Sequence, residues 1–332
     1  MPNSAVLPDN FLDKKRENAM KKLLKALPIP AAGVMLGLAA LGNLLQSYGE
    51  GIRLFFGALA AILWVLLVLK VIFCWKGVCA TMNSDPVVAS VSGTFPMATM
   101  LLAVYAKNVG LPAPLAQGMW YAGIALHVAL IIWFTAKFMV KPQMPKVFAS
   151  YFIVYVGIVV ASLTAPAFGA TATIGTWCFW FGFVCLLALL VLVGYRYVRF
   201  PVKMDPPKPL FCIFAAPASL CLAGYIQSVA SKSAAMVIGM LVLSSVLYIL
   251  VLAKTPGFLK LPFYPSYAAF TFPFVITAIA AKQSMACLTK MGMAVAWLKP
   301  VVLVETVIAA VLVIYALIRY IMALAASCKT AA

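Results

Sequence analysis

The chain has 332 residues, of which 65% are hydrophobic and 10% charged, with a mean hydropathy of +1.08. Soluble domains carry about a quarter of their residues as charges, so this composition excludes a separate water-soluble catalytic domain and points to a polytopic membrane protein. The formal charge of +18 does not point to nucleic acid, because Lys and Arg gather at the ends of apolar runs instead of interleaving with polar surface.

Residues 1–25 read as a polar N-terminal tail containing Asp9, Asp13 and Glu17, with no signal-peptide core or cleavage site behind it. Residues 26–325 read as one transmembrane domain. Its predicted spans are 27–46, 54–74, 86–105, 116–136, 147–165, 174–195, 209–227, 234–253, 265–281 and 298–322, each near the roughly 20 apolar residues that cross a bilayer. The segment 283–296 reads as a short interfacial helix, and 326–332 as a C-terminal tail.

Ten spans put the connections alternately on two sides. Nineteen of the 25 Lys and Arg fall on the side of the N-terminus and six on the other, which by the positive-inside rule makes both termini cytoplasmic. The eight cysteines form no CxxC pair and lie mostly in apolar runs; they read as packing residues, and no metal, disulfide or cofactor is implied.

The odd spans carry a proline pattern. The third opens at Pro86 and holds Pro96, the seventh opens at Pro209 and holds Pro217, and the ninth opens at Pro265 and holds Pro273. An interior proline deletes a helical hydrogen bond and kinks the helix, and such breaks are tolerated in membranes where they are buried in protein or line a cavity. The first span fits as a variant with Pro28, Pro30, Gly33 and Gly37, and the fifth with Pro145 and Gly157. Five hairpins, each with a kinked inner helix and an unkinked outer one, around a central pore are therefore predicted.

Away from the ends of the predicted spans, Asp, Glu, Lys, Arg and His occur only on even ones, His127 on the fourth and Glu305 on the tenth. Each is open to a functional or a structural reading. An inner ring without charge favours a passive conduit over a proton-coupled carrier. Anions can still be favoured by helix N–H groups and by the hydroxyls of Ser92, Thr94, Thr99, Ser162, Thr164, Ser219, Thr271 and Thr277. Phe95 precedes Pro96 and Phe272 precedes Pro273, so either ring is a candidate hydrophobic constriction.

The stretch 28–43, the Phe95-Pro-Met-Ala-Thr-Met100 core, Ala215-Ala-Pro-Ala-Ser219 and Ala269-Phe-Thr-Phe-Pro-Phe274 resemble the tellurite-resistance and dicarboxylate transporter family, which includes bacterial TehA, the yeast malic acid permeases and the plant slow-type anion channels. The resemblance covers essentially all ten spans. It implies five hairpins in quasi-fivefold array, a homotrimer with one pore per subunit, a plasma-membrane location (the inner membrane in a bacterium) and conduction of small inorganic or organic anions. It also implies that the phenylalanine before the ninth-span proline occludes the pore, a role that maps onto Phe272, with Phe95 a secondary candidate. Many relatives have a proline just before the glycine of the fifth span, whereas this chain reads Phe152-Ile-Val-Tyr-Val-Gly157, which leaves that kink open.

The leading expectation is a gated anion channel, and the alternative is a secondary carrier of four-carbon dicarboxylates such as malate. An intramembrane enzyme would need a polar catalytic set, and the single histidine has no evident partner.

Overall fold

The computed structural model describes residues 20–330; the N-terminal tail expected at 1–25 lies outside the described residues up to residue 19, and so do 331–332. Residues 20–26 form a short helix ahead of the first span. The spans are α1 (Ala31–Tyr48), α2 (Glu50–Phe73), α3 (Pro86–Asn108), α4 (Ala113–Met139), α5 (151–168, in pieces), α6 (Thr173–Arg199), α7 (Lys208–Ser228), α8 (Ala234–Leu259), α9 (Pro265–Lys290) and α10 (Leu298–Thr330). Among the described residues, nine of these are long and apolar enough to cross a membrane, and α5 is the tenth in shortened form. A further helix, Trp75–Ser84, lies between α2 and α3.

Each predicted span falls on one of these helices. The separate interfacial helix at 283–296 is not formed: α9 runs on to Lys290 and a turn with a short loop leads to α10. Lys282 does not end α9 because its flexible stem carries the ammonium out of the helix, where Nζ donates to Ser47 Oγ at 2.8 Å and to Leu44 O at 3.2 Å. Lys282 thus lies within an odd helix but beyond the apolar span predicted for it. The tail expected from 326 is helical as far as Thr330.

The odd helices form a closed inner ring, with α1 against α3, α3 against α5, α5 against α7, α7 against α9, and α9 back against α1. Each even helix packs on its odd hairpin partner and on the next odd helix. Burial follows this order: 72–89% of the apolar window is buried in α1, α3, α7 and α9, against 17–33% in every even helix. The ring is tight because its residues are small. Where α1 meets α9, a Cβ on Gly33 would stand 2.9 Å from Ala268 Cβ, and one on Gly37 would stand 3.1 Å from Phe272 N; such close approach is how membrane helices gain packing energy without a hydrophobic drive between them.

The outer faces of the even helices present aliphatic side chains such as Ile132, Val191, Ile249 and Ile314. Exposed Trp177, Trp180 and Trp297 stand at the helix ends on one side, and exposed Phe73 and Trp75 on the other, the positions of aromatic belts at the two membrane interfaces.

Four inner helices are broken midway. In α3, Pro86–Val91 ends at a turn and helix resumes over Thr94–Asn108. In α7 a 3-10 stretch, Lys208–Ala215, precedes the α-helix Ala216–Ser228, and in α9 a 3-10 stretch, Pro265–Phe270, precedes Phe272–Lys290. Pro96, Pro217 and Pro273 all sit in the first turn of the resumed helix, where a missing N–H leaves nothing unpaired. These prolines therefore begin new helices. α5 breaks as well, between Tyr151–Tyr155 and Val159–Thr164, with a turn through Gly157 and no proline at its restart. α1 is unbroken through Leu45.

Candidate functional site

The ring encloses a cavity of about 600 Å³, walled by the first halves of all five inner helices. All five enter from the side where most Lys and Arg lie, so the cavity is a vestibule belonging to that basic face. Its deepest lining residues are those at the breaks: Met97, Gly157, Pro217, Leu220, Phe272 and Pro273, with Leu36 on α1. The second halves of the inner helices beyond these residues contribute nothing to the wall.

The wall is apolar over most of its depth. Ser84, Asp85, Lys146 and Ser266 supply polarity at the outer end, and Thr94 supplies a hydroxyl further in. Asp85 caps α3, its carboxylate accepting from Val87 N at 2.8 Å and Val88 N at 3.3 Å. This interaction offsets the acid's repulsion of an approaching anion, because the helix N-terminus carries partial positive charge.

Of the residues singled out in the sequence, Gly33, Gly157, Pro217, Phe272 and Pro273 come together on this wall, while Gly37, Pro96 and Phe95 do not. Gly37 packs behind the α9 break, against Thr271 and the Phe272 backbone. The backbone of Pro96 packs against the outer layer, its carbonyl 3.2 Å from where a Gly123 Cβ would be. Phe95 turns outward as well, stacking on Trp64 of α2 with centroids 6.2 Å apart and planes 12° from parallel. Trp64 is itself fixed by donating from Nε1 to Thr99 Oγ1 at 2.9 Å.

The expectation that eight hydroxyls serve as anion donors is corrected. Each donates its proton to a backbone carbonyl: Ser92 to Ala89, Thr94 to Val91, Thr99 to Phe95, Ser162 to Gly175, Thr164 to Val160, Ser219 to Ala215, Thr271 to Gly33 and Thr277 to Pro273, at 2.7–2.9 Å. The physical reason is that a hydroxyl proton in a medium with no water needs a protein acceptor, and the carbonyl three or four residues earlier on the same helix, or one on a neighbouring segment for Ser162 and Thr271, is the acceptor in reach. Thr94 alone of the eight lines the vestibule.

The sequence reading missed Met97, Leu220 and the α5 wall of Ile153 and Val156. They are apolar residues in apolar helices, so no polar or proline signal marked them. Asp85 was legible as an acid immediately before Pro86, a helix-start signature.

Comparison with curated proteins returns no match. Comparison with protein families gives one over residues 27–321, from just ahead of α1 into α10, and the family is described as the voltage-dependent anion channel family, SLAC1. A match over most of the chain, on a ring of five hairpins around an apolar vestibule, assigns the protein: it belongs to the SLAC1 family of voltage-dependent anion channels, membrane proteins of anion transport.

Proposed function

We propose that the protein is a gated anion channel whose conduit runs along the axis of the inner ring and is closed at mid-membrane by the ring of Phe272. The observation that carries this reading is the position of Phe272, which is 5% exposed at the deep end of the vestibule. It stands at the α9 break, where the chain changes from 3-10 to α-helix at Thr271. A large apolar ring at a narrow point blocks ions sterically and by excluding water.

No ionisable side chain lines the vestibule between its outer end and Phe272. A carrier that couples flux to protons places a titratable group beside its substrate, and this wall offers none, which supports passive conduction. With the hydroxyl protons committed to carbonyls, the preference for anions rests on helix N-terminal dipoles facing the vestibule and on the excess of Lys and Arg at its mouth. The reading includes cytoplasmic termini, a plasma-membrane location and a homotrimer with one conduit per subunit; the charge asymmetry supports the first, and the family resemblance supports the other two.

The test is the current passed by purified protein in planar bilayers. The parent chain is expected to pass little, and Phe272→Ala to pass a large current whose reversal potential follows the chloride gradient. Silence in both, together with saturable and proton-dependent uptake of labelled malate into proteoliposomes, replaces the channel with a dicarboxylate carrier.

A further inference from the structure

His127 is the single histidine of the chain and stands midway along α4, an outer helix, yet it is 0% exposed. Its Nε2 donates to the carbonyl of Val154 on the inner helix α5, at 2.9 Å. In an unbroken α-helix that carbonyl would accept from the N–H of Ile158. Here residues 156–158 are a turn, and the imidazole takes the place of the helical donor.

The surrounding geometry is built around this contact. A Cβ on Gly157 would stand 2.8 Å from His127 Cε1 and 2.7 Å from Met97 Sδ, so the glycine makes room for both. On the α3 side, a Cβ on Gly93 would stand 3.0 Å from Leu130 Cδ2 of α4 and 3.1 Å from Ile153 Cγ2 of α5. Two breaks and one turn of α4 thus share a single packed space. The other three breaks have a proline in the first turn of the resumed helix, and α5 has none. His127 Nδ1 has no partner of hydrogen-bond geometry among the described residues, although the Gly93 backbone of α3 also lies beside the ring, so the well-formed polar contact of the ring is the Nε2 donor to Val154.

We propose that His127 is a positioning residue of the conduit wall: its Nε2–H holds the break in α5 and so keeps Ile153, Val156 and Gly157 on the vestibule surface. The proposal rests on the reading of that vestibule as the conduit. It assigns to a side chain of the outer layer the work that prolines do in α3, α7 and α9, and it gives the buried imidazole a role that requires its donor as well as its bulk.

The test compares His127→Phe, which keeps a ring without the donor, with His127→Gln, which keeps an N–H at similar reach, both in the Phe272→Ala background. Hydrogen exchange of the amides at 159–161 reads the break directly and does not depend on conduction. His127→Phe is expected to speed that exchange about tenfold, the scale of one lost buried hydrogen bond, and to change single-channel conductance about threefold, whereas His127→Gln keeps both near the background. Loss of folded protein in His127→Phe that His127→Gln restores also supports the donor role. Unchanged exchange in His127→Phe, or failure of His127→Gln to restore exchange or folding, overturns it. If Phe272→Ala passes no current, the conduit reading fails on that result alone, and the exchange comparison still decides what holds α5.

Discussion

Thr271 Oγ1 donates to the carbonyl of Gly33, 2.9 Å away and 238 residues earlier in the chain. This bond joins the last inner helix to the first and closes the ring beside Phe272. The same single proton is shared with Ala268 O, at 2.7 Å within α9, so the break and the seam between α1 and α9 divide one donor. Removing it in Thr271→Val keeps the shape and leaves the Gly33 carbonyl without that donor. The expected cost is about 1–3 kcal/mol, read as a lower midpoint of thermal unfolding in detergent; an unchanged midpoint would show that the seam does not depend on this bond.

The same seam predicts a contrast among glycines. A Cβ on Gly37 would come within 2.7 Å of Thr271 Oγ1 and 3.1 Å of Phe272 N, and backbone cannot swing aside as a long side chain can. Gly51, near the start of α2, has nothing within 4 Å. Overpacking costs about 1–3 kcal/mol, while Gly to Ala within a helix gains up to about 1 kcal/mol from propensity. Gly37→Ala is therefore expected to destabilise and Gly51→Ala to be neutral or stabilising, by the same thermal measurement. Equal effects would remove the close approach at Gly37 as a structural requirement.

Phe95 and Phe272 offer a matched pair for the gate, since each precedes a proline and they face opposite ways. Phe95→Ala deletes the stack on Trp64, worth about 1 kcal/mol beyond burial, and leaves the vestibule wall unchanged. Lower thermal stability with no added current is expected. Current in Phe95→Ala as large as in Phe272→Ala would mean that general loosening of the ring, and not removal of one plug, opens the conduit.

Arg53 tests how burial decides the worth of a charge. It is 2% exposed, ion-paired with Glu50 at 2.5 Å, hydrogen-bonded from Nε to Asn43 Oδ1 at 3.0 Å, and held 4.4 Å over the Tyr105 ring. Lys208 pairs with Asp205 at 2.6 Å, but both side chains are at least a third exposed. Arg53→Gln removes a buried guanidinium from Asn43 and the Tyr105 ring, while Glu50 is half exposed and adds little, and it is expected to cost about 1–3 kcal/mol. Lys208→Gln is expected to cost less than about 1 kcal/mol, and less still at high salt. Similar losses in the two variants would count against this ordering.

Much of the architecture was legible because membranes impose coarse rules. Apolar run length located the helices, and the prolines at 96, 217 and 273 marked which ones break. What the sequence did not show is how each break is satisfied. The hydroxyls of Thr271, Thr277 and Ser219 looked free to meet an anion, yet each has a carbonyl to serve: Thr277 and Ser219 bond back four residues along their own chain, and Thr271 reaches Gly33 by a tertiary contact that has no local signature. The α5 break was illegible for a related reason: its partner, His127, lies 27 residues before Val154 on another helix. Phe95 and Phe272 have the same local context in sequence, and only the rotation of α3 and α9 about their axes separates a lining ring from a packing one.

Orientation governs which compartment the vestibule serves, and the charge asymmetry predicts that it opens to the cytoplasm. Two loop positions put this to the test. Lys203 lies between α6 and α7 on the basic face, and Lys232 between α7 and α8 on the opposite one. In a background lacking Cys74, Cys79 and Cys328, the remaining native cysteines sit within helices, where a thiol out of water is a poor nucleophile. A membrane-impermeant maleimide added to intact cells is then expected to label Lys232→Cys and spare Lys203→Cys, with both labelled after permeabilisation. The reverse pattern would turn the molecule over. The apolar vestibule ending at Phe272 would then open to the outside, the basic mouth would collect external anions, and the gate would face influx instead of efflux.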